Sequence, residues 1–326
     1  MRAAAVTLLV LALAFAPAQA SLRRALTAPA PAKAKANASP AAKPAVAAAP
    51  PKANGPTKQA EKLYFIFGYG SLLNWASTVR SNCGLTGLSE DNIAALEKLL
   101  DIGGVDFNKV LNACTVKRPR AVRVKGLERG WYERITNAKS TPGNPFPGSA
   151  FNVMWTSLGA VEKPGAYSTG LVYEVTEQAY KNTVARESGY KLLPLRVSDI
   201  AVLSGAKIPK DAVVTAFVSY KSVTPAADAP VPLSYIDVWL GGAIDLQKQY
   251  NLTGDAYAKG SPGGYKSFVE ETLKTTSAWT RYIINDRDQA LRPFGETRNV
   301  AQIDDSLYKF VDHKNLAGMR FLGQPW

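Results

Sequence analysis

Two short groups of residues in this chain have the types and spacing that chemistry needs. The first, Phe67-Gly68-Tyr69-Gly70-Ser71-Leu72, follows directly on the apolar run Tyr64-Phe65-Ile66-Phe67. Such a run reads as a strand buried on both faces, and two glycines at its end let the backbone bend close to a ligand. Successive backbone N–H groups from Tyr69 to Leu72 can then form a nest for a carboxylate or a developing oxyanion. Ser71 adds a hydroxyl that either meets the ligand or caps the following turn. Taken alone, the pattern is also that of an ordinary glycine turn.

The second group is Arg186-Glu187-Ser188-Gly189-Tyr190. Thr176 is a natural N-cap, Glu177 suits the positive end of the helix dipole, and Ser188-Gly189 stops the helix. Tyr180, Val184 and Glu187 stand at i, i+4 and i+7, so they project from one face. This sets a carboxylate at the end of an apolar stripe, where it is either the partner of the neighbouring Arg186 or a proton acceptor. Tyr190 and Tyr220 are candidate polar handles at a pocket, although a tyrosine in such a place also serves as core.

The elements around these groups set the fold class. Residues 91–100 read as an amphipathic helix closed by Gly103-Gly104, and 106–114 as a second short helix. The alternation in Ala121-Val122-Arg123-Val124-Lys125-Gly126 predicts a half-buried strand that residues 130–136 continue or pair with. Residues 137–149 are a Pro/Gly loop. Strands are expected over 150–158, 170–175 and 211–220, and residues 224–232 form a Pro/Ala loop and an internal boundary. Helices are predicted over 234–250 and 265–284. Strands first and helices last indicates an α+β fold rather than alternating α/β.

Charge and composition separate the first 60 residues from the rest. They hold eight lysines and arginines and no acid, so of the formal net charge of +13 only +5 stays on the remainder. Met1-Arg2-Ala3 followed by the apolar stretch Val6 to Phe15 has the layout of a signal peptide, assigned to residues 1–20, and is too short for a permanent membrane helix. Cleavage after Ala14 or after Ala20 fits the small-x-small rule. Residues 21–60, rich in Ala, Pro, Ser, Lys and Arg, read as a disordered transit or linker segment. Ala14-Phe15-Ala16-Pro17 resembles the junction of bipartite presequences that route proteins into complex plastids, the alternative being a stalk on a secreted protein. Apart from residues 117–125 no dense basic run occurs, so neither a nucleic-acid partner nor, in the mature form, a membrane is expected.

Only two cysteines, Cys83 and Cys114, and one histidine, His313, are present. The cysteines pair in an oxidising compartment or stay free in a stroma. A single histidine excludes His-rich metal sites, and thiol chemistry at Cys114 would have to find a base elsewhere. The chemistry must run on carboxylates, hydroxyls and backbone.

Taken in order, Tyr69-Gly70-Ser71-Leu72 at a strand end and Arg186-Glu187 with Gly189-Tyr190 at a helix end resemble the γ-glutamylcyclotransferase family, including its ChaC-like branch. Gly126 to Trp131 is similar to the family's second strand. The resemblance covers roughly residues 63–221 and implies a small mixed or antiparallel, β-barrel-like sheet with packed helices. It divides the chain into a γ-glutamylcyclotransferase-like domain over 61–225, with an insertion at 82–117, and a mostly helical C-terminal extension over 226–326. Both the insertion and the extension depart from the compact family pattern. The resemblance also implies a γ-glutamyl substrate held by Tyr69, Gly70, Ser71, Leu72 and Tyr190, with Glu187 as the base. That base takes a proton from the substrate's α-ammonium and later passes it to the leaving amine, releasing 5-oxoproline with no cofactor or metal. The opposing expectation is a noncatalytic binding or scaffolding module that keeps the small-carboxylate pocket. Neither the leaving group nor the oligomeric state is fixed by these residues.

Overall fold

The structure, a computed structural model, describes residues 62–75, 77–78, 119–136, 154–187, 189–287 and 299–321. The segment 1–60, the helices expected over 91–100 and 106–114, both cysteines and the loop 137–149 lie outside the described residues.

The first strand, β1 (Tyr64–Gly68), is followed in the chain by two much longer ones, β2 (Arg120–Thr136) and β3 (Met154–Val175). A helix, α1 (Glu177–Arg186), follows, and β4 (Lys191–Leu195), β5 (Ile200–Val202) and β6 (Val213–Val218) complete the N-terminal part. The sheet runs β4-β6-β1-β3-β2-β5, with β1 parallel to β6 and antiparallel to β3. It is a mixed sheet curled into a half-barrel with helices packed on it, an α+β fold.

The two strands expected over 150–158 and 170–175 are a single strand. Residues 163–166, Lys-Pro-Gly-Ala, break the sequence pattern but merely bulge out of the β2–β3 ladder opposite Gly126, whose φ is +80°. A second irregularity falls between Trp131 and Glu133. Bulges bend a strand and re-aim the side chains beyond them.

The segment after the Pro/Ala loop opens with β7 (Val231–Pro232) and α2 (Leu233–Tyr250), followed by α3 (Gly254–Gly260) and α4 (Phe268–Lys274). Next come β8 (Thr276–Ser277), β9 (Ile283–Asn285), α5 (Val300–Phe310), α6 (His313–Leu316) and β10 (Arg320–Phe321). The helix expected over 265–284 is therefore much shorter. Thr275 and Thr276 hydroxyls donate to the carbonyls of Glu271 and Thr272, at 2.7 Å each, and Ala278 turns into the left-handed region at φ 59°. Hydroxyls bonded this way occupy the last helical carbonyls, and the chain leaves to pair with β2 at Arg129 and Gly130.

One face of the sheet carries a large core. Ile66, Trp131, Leu171 and Tyr173 meet Ile236, Trp239, Leu240 and Ile244 of α2 there. Every residue of α2 from Leu233 to Ile244 is buried, as expected of a helix that is apolar almost all round. On the opposite face Phe65, Phe67, Val122 and Val172 form a smaller core closed by Ile200 and Ile208.

Buried polar ties lock the late helices to β2. Arg123 donates two hydrogen bonds to Glu271, Nε–Oε1 2.5 Å and Nη2–Oε2 2.7 Å, and the Tyr257 hydroxyl donates to the same carboxylate. Arg129, completely buried, donates to the Thr276 hydroxyl at 2.8 Å, to the Thr169 carbonyl at 2.7 Å and to the Thr272 carbonyl at 2.5 Å. Its guanidinium lies 5.2 Å from the Trp239 ring, a cation–π contact.

Candidate functional site

The loop after β1 is held from both sides. Leu73 N–H donates to the Gly70 carbonyl at 2.8 Å and closes a 3-10 turn over Ser71–Leu73. Tyr69 is nearly buried, and its hydroxyl donates to the Phe217 carbonyl on β6. From above, α2 presses on the turn. A Cβ placed at Gly242 would stand 2.5 Å from the Asn74 backbone, so only glycine permits this approach. The Asn74 side-chain amide donates to the Val238 carbonyl at 3.1 Å. Tyr235, one turn earlier on α2, sets its hydroxyl over Gly70, where it accepts a hydrogen bond from Ser71 N–H at 3.3 Å. A Cβ at Gly70 would lie only 2.8 Å from that oxygen. Of the backbone N–H groups expected to form a nest, Ser71's thus already has a partner. Both Ser71 and Leu72 are half-buried.

Glu187 reaches the same place from α1. The helix is capped by Thr176, whose hydroxyl accepts from Ala179 N–H at 3.3 Å, and it ends at Arg186, so Glu187 is the C-cap rather than a helical residue. Glu187 N–H still donates to the Thr183 carbonyl at 2.9 Å, and Tyr190 N–H donates to the Glu187 carbonyl at 2.9 Å. These two bonds fix the turn that carries both side chains. Glu187 is half-buried, as are Tyr180 and Val184 on the same stripe. Tyr180 is spent on structure, with its hydroxyl 2.9 Å from that of Thr215 and its ring stacked near Tyr64. The Arg186 side chain lies outside the described residues. Tyr220 is 68% exposed and takes no part.

The electrostatics show which groups converge. The Tyr69 phenol is pushed well above its ordinary range, first by burial and then by Tyr190, Tyr235, Glu133 and Glu187. Tyr190 is raised in the same way by burial, Tyr235, Glu133 and Glu187, while a hydrogen bond with Ser157 opposes the shift. Tyr69 and Tyr190, more than a hundred residues apart in sequence, thus both feel Tyr235, Glu133 and Glu187, and Tyr235 also meets the loop directly at Gly70 and Ser71. Burial lowers the Arg129 guanidinium to about 9, opposed by Glu271, Tyr235 and Tyr69.

Glu133, Ser157, Ser219 and Tyr235 were not legible as site residues. Glu133 and Ser157 face each other across the β2–β3 ladder just past the bulge at Trp131. Burial raises the Glu133 carboxyl above the ordinary carboxylate range, partly offset by the Ser219 hydroxyl. Ser219 itself is 6% exposed. The one local signal was a charged residue in an otherwise aromatic strand, Gly130-Trp131-Tyr132-Glu133.

No protein-family model and no curated protein matches the chain in sequence. Several solved structures share its shape over part of its length. One is described as a gamma-glutamyl cyclotransferase, with a TM-score of 0.34 and 12% identity over 56% of this chain and 80% of that one. An uncharacterized protein from Homo sapiens gives 0.35 and 13% over 61% and 86%. A gamma-glutamyl cyclotransferase specific to glutathione from yeast gives 0.28 and 10% over 79% and 96%. The chain is similar in fold to these proteins. Values this low carry no functional argument, which must come from the site's own residues.

Proposed function

We propose that this chain is a γ-glutamylcyclotransferase-like enzyme that converts a γ-glutamyl compound to 5-oxoproline and a free amine. The reading is supported by the seat of the glycine loop under α2, where the Tyr235 hydroxyl would stand 2.8 Å from a Cβ at Gly70, and by a carboxylate at the C-cap of α1, Glu187, whose charge is felt by the Tyr69 phenol. Cyclisation needs little more. The substrate's own α-amine attacks its own γ-carbonyl, so no enzymic nucleophile is required. Folding the glutamyl group into a near-cyclic pose supplies the proximity contribution, on the order of several kcal/mol.

The loop from Tyr69 to Leu72 clamps the glutamyl end through its backbone, and Tyr190 closes the pocket's side. Glu187 takes a proton from the α-ammonium, which makes the amine a nucleophile. Oxygen charge developing on the γ-carbonyl is met by backbone donors of the loop, whose place is set by α2, and by the Tyr190 hydroxyl.

Incubating the full chain with a panel of γ-glutamyl amino acids, γ-glutamyl amines and glutathione, and following 5-oxoproline, tests the proposal. Glu187→Gln is expected to abolish turnover while leaving binding nearly unchanged. Full activity in that variant refutes Glu187 as base. Tight binding of γ-glutamyl compounds by the parent chain, without any turnover, marks the site as a noncatalytic pocket instead.

A further inference from the structure

The cyclisation has a second demand that a single carboxylate meets poorly. An amine expelled from an amide is a weak leaving group and must receive a proton as its C–N bond breaks. Glu187 spends its free valence at the other end of the substrate, on the α-ammonium.

A second carboxyl is built into the same space. Glu133 is borne on a long strand, and the bulge at Trp131–Glu133 sets it opposite Ser157 on β3. Ser157 is followed by Leu158, whose Cβ lies 3.7 Å from a Cβ placed at Gly70, and Ser219 stands two residues beyond Phe217, whose carbonyl the Tyr69 hydroxyl bonds. Tyr69 and Tyr190 each feel both carboxyls. The Ser219 hydroxyl, buried and with no hydrogen-bond partner within 3.5 Å among the described residues, also faces Glu133. Rigid strands hold Glu133, and a helix end holds Glu187. Two carboxyls on separate elements, in environments that differ, are the arrangement by which one site runs an acid and a base together.

Resting on the cyclotransferase reading, we propose that Glu133 is a second catalytic carboxyl of this site, the acid that protonates the departing amine while Glu187 acts as base. Its burial, which raises it above the ordinary carboxylate range, favours the protonated form that such a role needs.

The step balances. Glu187 accepts one proton from the α-ammonium, and the freed amine lone pair forms the C–N bond of the ring while the carbonyl π pair moves to oxygen. As that pair returns, the bond to the leaving nitrogen breaks and Glu133 gives that nitrogen its proton. The ring nitrogen, still carrying two hydrogens, returns one to the Glu133 carboxylate. Glu187 returns its proton to solvent, and the released amine takes one from solvent and leaves as an ammonium ion. Both carboxyls end as they began.

The test uses the full chain and two substrates that differ only in the leaving group. A γ-glutamyl alkylamide expels a strongly basic amine that needs a proton, whereas γ-glutamyl-p-nitroanilide expels a weakly basic aniline that scarcely needs one. Glu133→Gln is expected to lose about 10²- to 10⁴-fold in kcat on the alkylamide and less than about tenfold on the anilide. Retained anilide turnover also shows that the variant is folded. Equal losses on both substrates, or none on either, overturn Glu133 as the acid while leaving the cyclotransferase reading intact. A parent chain that releases 5-oxoproline from neither substrate overturns both.

Discussion

Gly70→Ala is the sharpest probe of how α2 and the glycine loop fit together. The new Cβ would stand 2.8 Å from the Tyr235 hydroxyl, about 0.6 Å short of the 3.4 Å at which ordinary contact begins. Tyr235 cannot swing away. It is 4% exposed, and its ring is held by Trp131 at 6.0 Å and Trp155 at 5.6 Å between centroids. Overpacking of this kind costs about 1–3 kcal/mol. Gly70, at φ −103° and ψ −129°, is neither helical nor extended, so stiffening of the unfolded chain by alanine brings no offsetting return and the loss stays at about 1–3 kcal/mol. For a folded unit of this size that is a drop of about 2–12 °C in Tm. If the loop moves rather than the tyrosine, turnover falls about tenfold or more, since a 1 Å misplacement costs roughly 10²-fold. Tyr235→Phe removes the obstructing oxygen and keeps the ring, so the cost of alanine at position 70 is expected to shrink in the double variant. Urea unfolding of the four proteins gives the coupling energy directly, expected at about 1 kcal/mol. A cycle that is additive within about 0.3 kcal/mol, or a Gly70→Ala protein as stable and active as its parent, refutes the close contact.

Two further perturbations test the frame that carries the site. Glu271→Gln leaves the buried Arg123 without its anion and is expected to cost about 3–5 kcal/mol, whereas replacing both by well-packed apolar residues is expected to be near neutral; a loss below about 1 kcal/mol in the single variant would contradict the buried pair. Asp286, 1% exposed, accepts from Ser234 N–H at 2.9 Å and from its hydroxyl at 2.6 Å, and so caps α2 from a distant loop. Asp286→Ala is expected to cost about 0.5–2 kcal/mol in denaturant unfolding, and an unchanged midpoint would show that the cap is dispensable.

The local half of this architecture could be read from the chain. Tyr64 to Phe67 is a contiguous apolar run, and a run of that length with glycines at its end has few other uses than a buried strand and a close turn. Thr176 with its helix, and the end of that helix at Glu187, follow from capping and periodicity within a dozen residues. Those preferences are set by neighbours in sequence, which is why they survived folding. Residues 163–166 and 275–278 misled for the opposite reason. Each carries local turn or helix chemistry, but cross-strand pairing with β2 decides the outcome in both places.

The site divides along the same line. Sequence alone determined that a glycine loop and a carboxylate at a helix end were present, and in which order. Only the tertiary structure decided what each packs against, because that depends on β1 and β6 being parallel neighbours and on α1 returning over β1. Glu133 and Ser157 enter through the register of long strands, where one bulge chooses which side chain lies opposite which, and Ser219 follows β6 at its end. Tyr235 arrives on a helix more than 160 residues beyond the loop it covers. No local pattern encodes such positions, since they are fixed by what remains to be buried once the sheet has curled.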